Sequence, residues 1–508
     1  MYSSQSKLYL MTGVLCSMMT YMSCQNPEVI DVSPEYAIPL INSSLSIQNI
    51  LDQTNTGDLL QIDGDNFITL QYDEEVLGID TVSLISIPGF SIPQVIPNQV
   101  TPTPFPNDTD IDLITVKNGK LHINFESNSP NDITVSLDIP SITKNGNNLQ
   151  YTMNVSNPNG TIPLVYQDSF DLTGYTIAFT NDEFESNYTA TDDVTGLAVV
   201  PTDFFLDFPS LEHSYLEGYF GQVDFSLPAE ELALNFPSQW VSGAVSFTNP
   251  QIRLSFENFY GFPLNLTFDT LQVLTRDEGY VDVQSTSINN PIPLNYPALS
   301  NVGAGEVTIV SIDNSNSNIV SVLEKAPYGF RYKMSGLTNP AADSTIKGFV
   351  TDAGGIVVRV IAELPLEGAI QNFTLIDTFT LDLTGDAIPR GEAEFKIVTD
   401  NGFPLDIDLQ CYFLDEAGAF VDSLFVGSQT NIIQAAALGS NGKVTDSFET
   451  TTFTDIDSDR INNIRSRAKN LVLQGRFNSP NTGNTPIKIF SDYDLGVKIG
   501  VKIKPAID

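Results

Sequence analysis

Alternating aspartates near the C-terminus form the pattern in this sequence that could bind a metal ion. Asp455, Asp457 and Asp459 stand at every second position of the run Asp-Ile-Asp-Ser-Asp. Carboxylate oxygens at this spacing are typical of the start of a calcium-binding loop. The run then departs from that pattern, because Arg460 stands where the sharp turn needs Gly and Ser466 where a bidentate Glu belongs. Calcium is the candidate cofactor, and an Asp-rich helix N-terminus is the alternative. Two other acidic runs that could supply oxygen ligands are 63–66 and 108–112.

The sequence contains few residues or motifs that could support histidine-based catalysis or nucleotide binding. The sequence holds two histidines, His122 and His213, and neither belongs to an HExxH or Cys/His cluster, which argues against a zinc site. No G-x-S-x-G, P-loop or Rossmann glycine pattern occurs. Paired carboxylates could serve a glycoside hydrolase, but among 62 acidic residues close pairs arise without catalytic meaning. We therefore expect a protein that is not an enzyme.

The charge balance is strongly acidic and unevenly distributed. Lys and Arg total 23 against 62 Asp and Glu, a net charge of −39. Such a chain repels nucleic acid, so nucleic-acid binding is excluded as a function class. Residues 458–508 reverse the balance with nine basic and four acidic residues. Charge at an exposed surface serves solubility, and the basic end could instead dock on an acidic neighbour or an anionic outer leaflet.

The N-terminus has the pattern of an export signal. Lys7 precedes an apolar run over 8–22, which is typical of a secretory signal and too short to span a membrane. The run ends in a Ser-Cys pair at Cys24, which resembles the lipobox of bacterial lipoproteins. That resemblance implies cleavage before Cys24 and a diacylglycerol on its thiol, although Tyr21 stands where the family usually has Leu. An ordinary signal peptide or a buried N-terminal helix is the alternative.

The remaining cysteines indicate a fold without disulfides. Cys16 lies within the signal and Cys24 would carry lipid, so Cys411 stands alone in the mature chain. It lies in the strand-like run Leu-Gln-Cys-Tyr-Phe, which favours a buried structural thiol over a nucleophile. Stability must then come from packed sheets.

Periodicity predicts a mainly β chain with a few short helices. The sequence contains 34 Gly and 30 Pro, and alternating apolar residues recur between turn signals. Asn-Gly pairs at 118–119 and 145–146 predict hairpin turns, and the alternation places His122 on the outer face of a strand. A strand is predicted at 197–200, and His213 falls in a loop-like stretch. Helical spacing and caps predict helices over 316–325 and 461–471.

An internal repeat suggests the domain organisation. Gly-Phe-Pro-Leu occurs at 261–264 and again at 402–405, each time between two strand-like runs. The spacing is about that of one β-sandwich domain, so tandem immunoglobulin-like antiparallel sandwiches are predicted. The predicted segments are a signal peptide at 1–23, a tether at 24–35, an acidic N-terminal β domain at 36–165, and sandwiches at 166–300 and 301–508.

A family resemblance follows from the longer motifs. The runs IPLINSSLSIQNIL, IRLSFENFYGFPL and INNIRSRAKNLVLQGRF resemble outer-membrane surface lipoproteins of Bacteroidota. The strand–N-x-x-G-x-P–strand unit also resembles the immunoglobulin-like sandwich of late-embryogenesis-abundant proteins. The resemblance to Bacteroidota implies O-glycosylation at Asp-Ser/Thr-aliphatic triplets, for which the candidates are Thr81, Thr270 and Ser423.

Together these observations predict a protein held by lipid on the outer membrane and exposed at the cell surface. We expect a scaffold or accessory subunit of an outer-membrane complex for secretion, barrel assembly or uptake. Its partners would be an outer-membrane barrel or other surface lipoproteins. The alternatives are a glycan-binding or adhesive surface module, with or without calcium, and a glycoside hydrolase-like enzyme.

Overall fold

The structure is a computed structural model that describes residues 36–46, 60–80, 85, 89–97, 99–102, 109–181, 183–233, 240–275, 278–325, 327–381, 391–427 and 430–505. The prediction of a mainly β chain built from antiparallel sandwiches with a few short helices is confirmed, because strands dominate these residues and every strand pairing is antiparallel. Cys24 and Thr81 lie outside the described residues.

The strands are numbered in chain order. The first group is β1 (Tyr36–Ser46), β2 (Leu60–Ile62), β3 (Ile68–Asp80), β4 (Phe90–Ile92), β5 (Gln99–Pro102), β6 (Asp110–Ser127), β7 (Ile133–Lys144), β8 (Asn147–Val155), β9 (Leu164–Asp171), β10 (Thr176–Ala178), β11 (Glu183–Asp192), β12 (Asp203–Phe208) and β13 (Leu211–Tyr219). The second group is β14 (Asp224–Ser226), β15 (Glu230–Ala233), β16 (Trp240–Phe247), β17 (Gln251–Asn258), β18 (Leu264–Thr275), β19 (Gly279–Asp282), β20 (Ile292–Leu294), β21 (Glu306–Asp313), β22 (Pro327–Thr338), β23 (Gly348–Thr351) and β24 (Gly355–Pro365). The third group is β25 (Glu367–Thr380), β26 (Gly391–Asn401), β27 (Asp406–Leu414), β28 (Phe420–Ser423), β29 (Asn431–Ile433), β30 (Ala437–Leu438), β31 (Val444–Asp446), β32 (Phe448–Ile456), β33 (Asn470–Asn478), β34 (Ile487–Lys488) and β35 (Asp494–Pro505). The helices are a 3-10 turn at Leu299–Asn301, α1 (Ile319–Leu323), α2 (Ser458–Arg467) and α3 (Pro480–Gly483).

Two sheets that include both ends of the described chain form what we call the outer body. Strands β1, β35, β26 and β32 make one sheet, and β16, β25, β33, β27 and β28, with β29 and β34, make the other. The inward side chains of both sheets meet in one core, where the rings of Phe395 and Phe413 lie 6.1 Å apart. Cys411 is fully buried in this core and burial raises the pKa of its thiol to about 12, which confirms the structural thiol.

A second sandwich, the middle body, lies between distant parts of the sequence. Its sheets are β2-β3-β24-β17-β21 and β14-β22-β18-β19, the latter extended by β15 and β20. Alternating burial along β17 sends Ile252, Leu254 and Phe256 into the core, where the ring of Phe256 lies 6.4 Å from that of Phe268 on β18. The buried apolar residues here form one hydrophobic cluster with those of strands β4 to β13, and the core of the outer body is a separate cluster.

The inner body comprises strands β4 to β13, which belong to an eleven-stranded sheet that folds over on itself. The predicted hairpin turn at 118–119 is wrong, because β6 runs without interruption through both residues. β13 and β10 flank the first half of β6, and β12 and β9 flank the second half, so this strand serves two layers. The turn predicted at 145–146 is confirmed, with positive φ at Asn145 and Gly146 between β7 and β8.

The three bodies are nested in sequence. Strand β1 pairs with β35 along its length, so the two ends of the described chain lie side by side in the outer body. The strands of the middle body come from residues 60–80 and 224–365, and the inner body is inserted between these two segments. Two strands of the second segment pair elsewhere, β16 in the outer body and β23 with β13 of the inner body. The linear segments predicted above, with divisions at 165/166 and 300/301, stay a prediction.

Charged contacts join the inner and middle bodies. β23 pairs with β13, and Lys347 next to β23 contacts Asp112 at 3.2 Å and Asp110. Lys117 on β6 forms an ion pair with Asp352 at 2.7 Å. Because Lys117 lies in the first half of β6 and Lys347 contacts its first residues, the first half of this strand lies at the junction between the bodies.

Candidate functional site

Three loops meet beside the C-terminal end of β6. They connect β6 to β7 (128–132), β8 to β9 (156–163) and β11 to β12 (193–202), and we call them the loop tip. β6 starts at the junction and ends beside these loops, since Thr202 donates from its backbone N–H to the carbonyl of Glu126 at 2.8 Å. Sixteen residues at about 3.3 Å each separate Asp110 from Glu126, about 50 Å along the strand.

Asp192 holds two of the loops together. One carboxylate oxygen accepts from the backbone N–H groups of Val194 at 3.0 Å and Thr195 at 2.8 Å. The other accepts from Ser129 Oγ and Asn131 Nδ2, both at 2.9 Å. These bonds, the one from the Thr195 backbone first, hold the pKa of Asp192 well below its usual range. The loop over 193–202 is therefore fixed at its base.

Asn157 fixes the third loop in the same way. Its side-chain Nδ2 donates to the carbonyls of Ser129 at 3.2 Å and Thr161 at 2.9 Å, and its Oδ1 accepts from the Thr161 N–H at 2.8 Å. The carboxylate of Asp132 accepts from Asn157 N–H and from Ser156 Oγ. Because Asn157 and Asp192 are both buried, all three loops rest on one polar network.

Aliphatic side chains project from this rigid base. Val200 is 82% exposed, Val194 74% and Leu197 69%, the highest values for large apolar side chains among the described residues. Ile162 and Val165 on the neighbouring loop and strand are also more than half exposed. Single exposed apolar residues need no explanation, but a concentration of them on neighbouring loops makes the loop tip a candidate interaction surface.

The charge around the loop tip is of one sign. Glu126, Asp132, Asp192, Asp193 and Asp203 lie in or beside the loops, and no Lys or Arg occurs between Lys144 and Arg253. An acidic surface with apolar projections repels anionic lipid and nucleic acid. It fits a protein surface that is apolar at its centre and neutral or basic at its rim.

Sequence reasoning did not identify the loop tip. The strand predicted at 197–200 is wrong, because the structure has only an isolated bridge at Ala198 within a loop. The Asp192 cap, the positive φ of Gly196 and the following Pro201 turn this apolar run away from a sheet. The usable signal was an apolar run bounded by Gly and Pro in a region without basic residues.

The candidate calcium residues lie at the end of β32 and the start of α2. Asp455 is exposed on the strand, and Asp457 is the N-cap of α2, accepting from the N–H of Asp459 at 3.1 Å and of Arg460 at 2.9 Å. The guanidinium of Arg460 forms an ion pair with the carboxylate of Asp422 at 2.8 Å. Among the described residues, no group of three or more His, Cys, Asp or Glu side chains is placed to hold a metal ion. The calcium site stays a prediction.

The glycosylation candidates that the structure describes lie on strands. Thr270 is half-buried on β18 beside a bulge. Ser423 ends β28, and its hydroxyl donates to the carbonyl of Phe425 at 2.9 Å. Their modification stays a prediction.

The histidines divide into one exposed and one enclosed residue. His122 is exposed on β6, as predicted. The loop predicted for His213 is wrong, since it lies on β13 with its Nε2 atom buried and without a hydrogen-bond partner. Burial lowers the pKa of His213, although Asp352 opposes this effect.

The basic C-terminal segment does not form one patch. Helices are present at both predicted places, as α1 and α2, but the second ends at Arg467 and residues 470–471 belong to β33. On α2, Arg460 and Arg467 face the carboxylates of Asp422 and Asp415. Lys488 faces Glu367 at 3.6 Å, and Lys498 is exposed on β35 in the other sheet. The basic residues of the C-terminal segment thus lie on separate faces of the outer body.

Comparisons with known proteins leave the function to be argued from this chain. It matches no family model and no curated protein. A Parabacteroides distasonis protein described as secreted is similar at 10% identity over 93% of this chain and 100% of that one, with a TM-score of 0.37. A structure of infectious bursal disease virus, Gx strain, gives 8% identity over 88% and 81%, with a TM-score of 0.14. At these scores neither likeness carries an argument. No helix among the described residues is long and apolar enough to cross a membrane.

Proposed function

We propose that this chain is a non-enzymatic surface lipoprotein of the outer membrane that serves as a scaffold or accessory subunit of an outer-membrane protein complex. The observation that carries the proposal is the loop tip, where Val194, Leu197 and Val200 are held exposed on ordered loops. Rigid loops that present aliphatic side chains bind without a large ordering cost. The partner would be an outer-membrane barrel protein or another surface lipoprotein.

The position of the anchor supports this arrangement. Residues 25–35 separate Cys24 from β1, a tether that reaches at most about 40 Å when fully extended. β1 belongs to the outer body, and the loop tip ends the inner body, which joins the middle body at β23. A chain lipidated at Cys24 would keep the outer body near the membrane and present the loop tip to partners.

The proposal is tested by detergent pull-down of a tagged chain after crosslinking in cells. The triple variant Val194→Ser, Leu197→Ser, Val200→Ser should recover an outer-membrane barrel partner at least about tenfold less than wild type, because apolar contact area is lost. The matched control is Ile309→Ser with Ile432→Ser, which alters two aliphatic side chains that are exposed on other bodies. Failure of the wild-type chain to recover any barrel protein, or equal recovery by the triple variant, would contradict the proposal.

A second candidate, a glycan-binding module, is supported by an aromatic cluster between β8 and β9. Tyr151 donates to Asp168 at 2.6 Å and Tyr166 donates to the same oxygen at 3.3 Å. The bond to Asp168 raises the pKa of Tyr151 to about 12, and the ring of Phe170 packs 5.4 Å away. A carboxylate among half-buried aromatic rings can accept sugar hydroxyls while the rings pack on sugar C–H faces.

A glycan array with and without a chelator tests this second candidate. Binding that is lost in Asp168→Asn but kept in Asp207→Asn, a carboxylate on the separate strand β12, would support it. Sensitivity to the chelator would add calcium to the mechanism. An array on which no glycan binds above background would exclude a glycan-binding function.

A further inference from the structure

Strand β32 is a regular edge of the four-stranded sheet in the outer body. It pairs with β26 at all nine of its positions, from Phe448 opposite Asn401 to Ile456 opposite Ala393, and the register never shifts. No described strand pairs with its other side. In an antiparallel pair, alternate residues direct their backbone N–H and C=O groups away from the partner strand. The side of β32 away from β26 thus offers backbone groups to one more strand.

Edge strands are usually protected, and β32 carries two acidic residues but lacks the proline and the bulge that protect other edges of the outer body. The opposite edge of the same sheet, β1, carries Pro39 and a bulge between Pro39 and Ile41. The edge strand β16 of the facing sheet shifts register twice around Gly243. By contrast, β32 has the sequence Phe-Glu-Thr-Thr-Thr-Phe-Thr-Asp-Ile, without Pro, Lys or Arg. A long, regular edge without these features invites strand addition.

We propose that β32 binds an extended segment of a partner protein as an additional antiparallel strand. This contact is separate from the loop tip and does not depend on it. The outer face of β32 specifies the segment, since Glu449, Phe453 and Asp455 all point to that face and are exposed. The Lys396 ammonium lies 5.9 Å from the centre of the Phe453 ring, which fixes the ring on this face.

The charges on β32 select a basic segment over a second copy of this chain. Two β32 strands paired antiparallel about their centres would place Glu449 opposite Asp455 twice, and like charges directly opposite each other are destabilising. A partner segment should instead carry basic residues six positions apart, one opposite each acid, because the acids themselves are six apart. An aliphatic residue two positions after the first basic one would lie against Phe453. The recognised pattern is therefore basic-x-aliphatic-x-x-x-basic.

The test uses the full mature chain and two synthetic peptides. One contains Lys-Thr-Val-Thr-Thr-Thr-Lys and the other has Glu in place of both lysines. Backbone hydrogen exchange of 448–456 should slow by about tenfold or more with the Lys peptide and not with the Glu peptide, because strand addition buries those N–H groups. The double variant Glu449→Lys, Asp455→Lys should reverse the preference. Asp377→Lys, a charge change on the facing sheet at β25, should leave it unchanged.

Three outcomes would overturn the proposal. The first is equal protection by both peptides, and the second is protection of residues outside 448–456 only. The third is concentration-dependent dimerisation that protects 448–456 without peptide, which would assign the edge to a second copy. Retained cooperative unfolding of the double variant shows that lost binding is not lost folding.

Discussion

At the scale of single residues, His213 gives the fold a pH dependence of its own. Its Nε2 atom is buried and unpartnered, and Lys117 and Asp352 are the charged groups that influence it. Burial favours neutral imidazole in the folded state, so its pKa lies below the ordinary value of 6.5. The unfolded chain then binds the proton more readily, and stability is lost as pH falls below 6.5.

We expect the urea midpoint of the wild-type chain to fall between about pH 7 and about pH 5, above the range where carboxylates titrate. His213→Gln should flatten this slope, because it removes the titrating group while filling most of the space. The exposed His122 supplies the control, and His122→Gln should keep the wild-type slope. An unchanged slope in His213→Gln would show that another group titrates.

Two buried asparagines support the repeated Gly-Phe-Pro-Leu segments. Asn401 accepts from the Phe403 N–H at 3.0 Å and donates to the carbonyls of Leu405 at 3.0 Å and Gln434 at 2.8 Å. Asn258 accepts from the Tyr260 N–H at 3.0 Å in the same way. Each repeat thus follows a strand that ends in a buried asparagine, although Asn258 lies three positions before its Gly and Asn401 one position before its Gly.

Asn401→Ala should destabilise the outer body by about 2–3 kcal/mol, because a buried N–H and carbonyls lose partners worth about 1–3 kcal/mol each. Urea unfolding and hydrogen exchange over 401–405 would measure the effect. Asn42→Ala, at an exposed position on β1, should change stability by less than about 0.5 kcal/mol. Similar values for both variants would contradict the assigned role.

At the scale of elements, close backbone approach shapes the junction between bodies. Gly218 on β13 has φ of +152°, and a Cβ atom there would lie 2.4 Å from the carbonyl oxygen of Asp110. Backbone cannot move aside as a flexible side chain can, so β13 could no longer stay paired with both β6 and β23.

Gly218→Ala should therefore destabilise the junction by at least about 2 kcal/mol, with faster hydrogen exchange in β23 than in the outer body. Gly146→Ala is the matched control for a positive φ, since nothing lies within 4 Å of its Cβ position. This variant should lower the free energy of unfolding by only about 1 kcal/mol, the strain of a non-glycine residue at positive φ. Equal effects of the two variants would show that backbone contact at Gly218 is unimportant.

The sequence predicted correctly those elements whose conformation is determined by residues close together in the chain. Asn145-Gly146 forms its turn because both residues adopt positive φ between adjacent strands. At Asn118-Gly119 the same pair stays extended, because β13 pairs with both residues across the sheet. Tertiary pairing overrode the local preference there. At 197–200 the reverse holds, because the Asp192 cap and the positive φ of Gly196 keep an apolar run out of a sheet. The loop tip was missed because its network joins Asp192 to Ser129 and Asn131, which lie far apart in sequence.

At the scale of the whole molecule, the fold is nested in a way that composition and repeats do not reveal. Ser44 and Asp494 are 450 positions apart and their side chains are hydrogen-bonded at 3.1 Å. A contact between residues so far apart in sequence forms only after a very long loop is closed, so no local sequence pattern predicts it. One consequence is that the first and last described strands stabilise the same sheet. A chain truncated before β35 should lose the partner of β1.

A lipid at Cys24 would be connected through residues 25–35 to β1, and so to the outer body. If Cys24 carries a diacylglycerol, as its resemblance to lipoproteins implies, two acyl chains hold the outer body at the membrane. Cys24→Ser should then move the protein from the membrane fraction to the soluble fraction, because the acyl chains that would hold it in the bilayer are absent. Cys16→Ser, in the predicted signal, is the control and should leave the protein in the membrane fraction. Immunoblots of fractions washed in high salt would measure both.

The loop-tip triple variant should stay membrane-bound while losing its partner, which separates anchoring from docking. A Cys24→Ser protein that resists the salt wash would require a second membrane attachment.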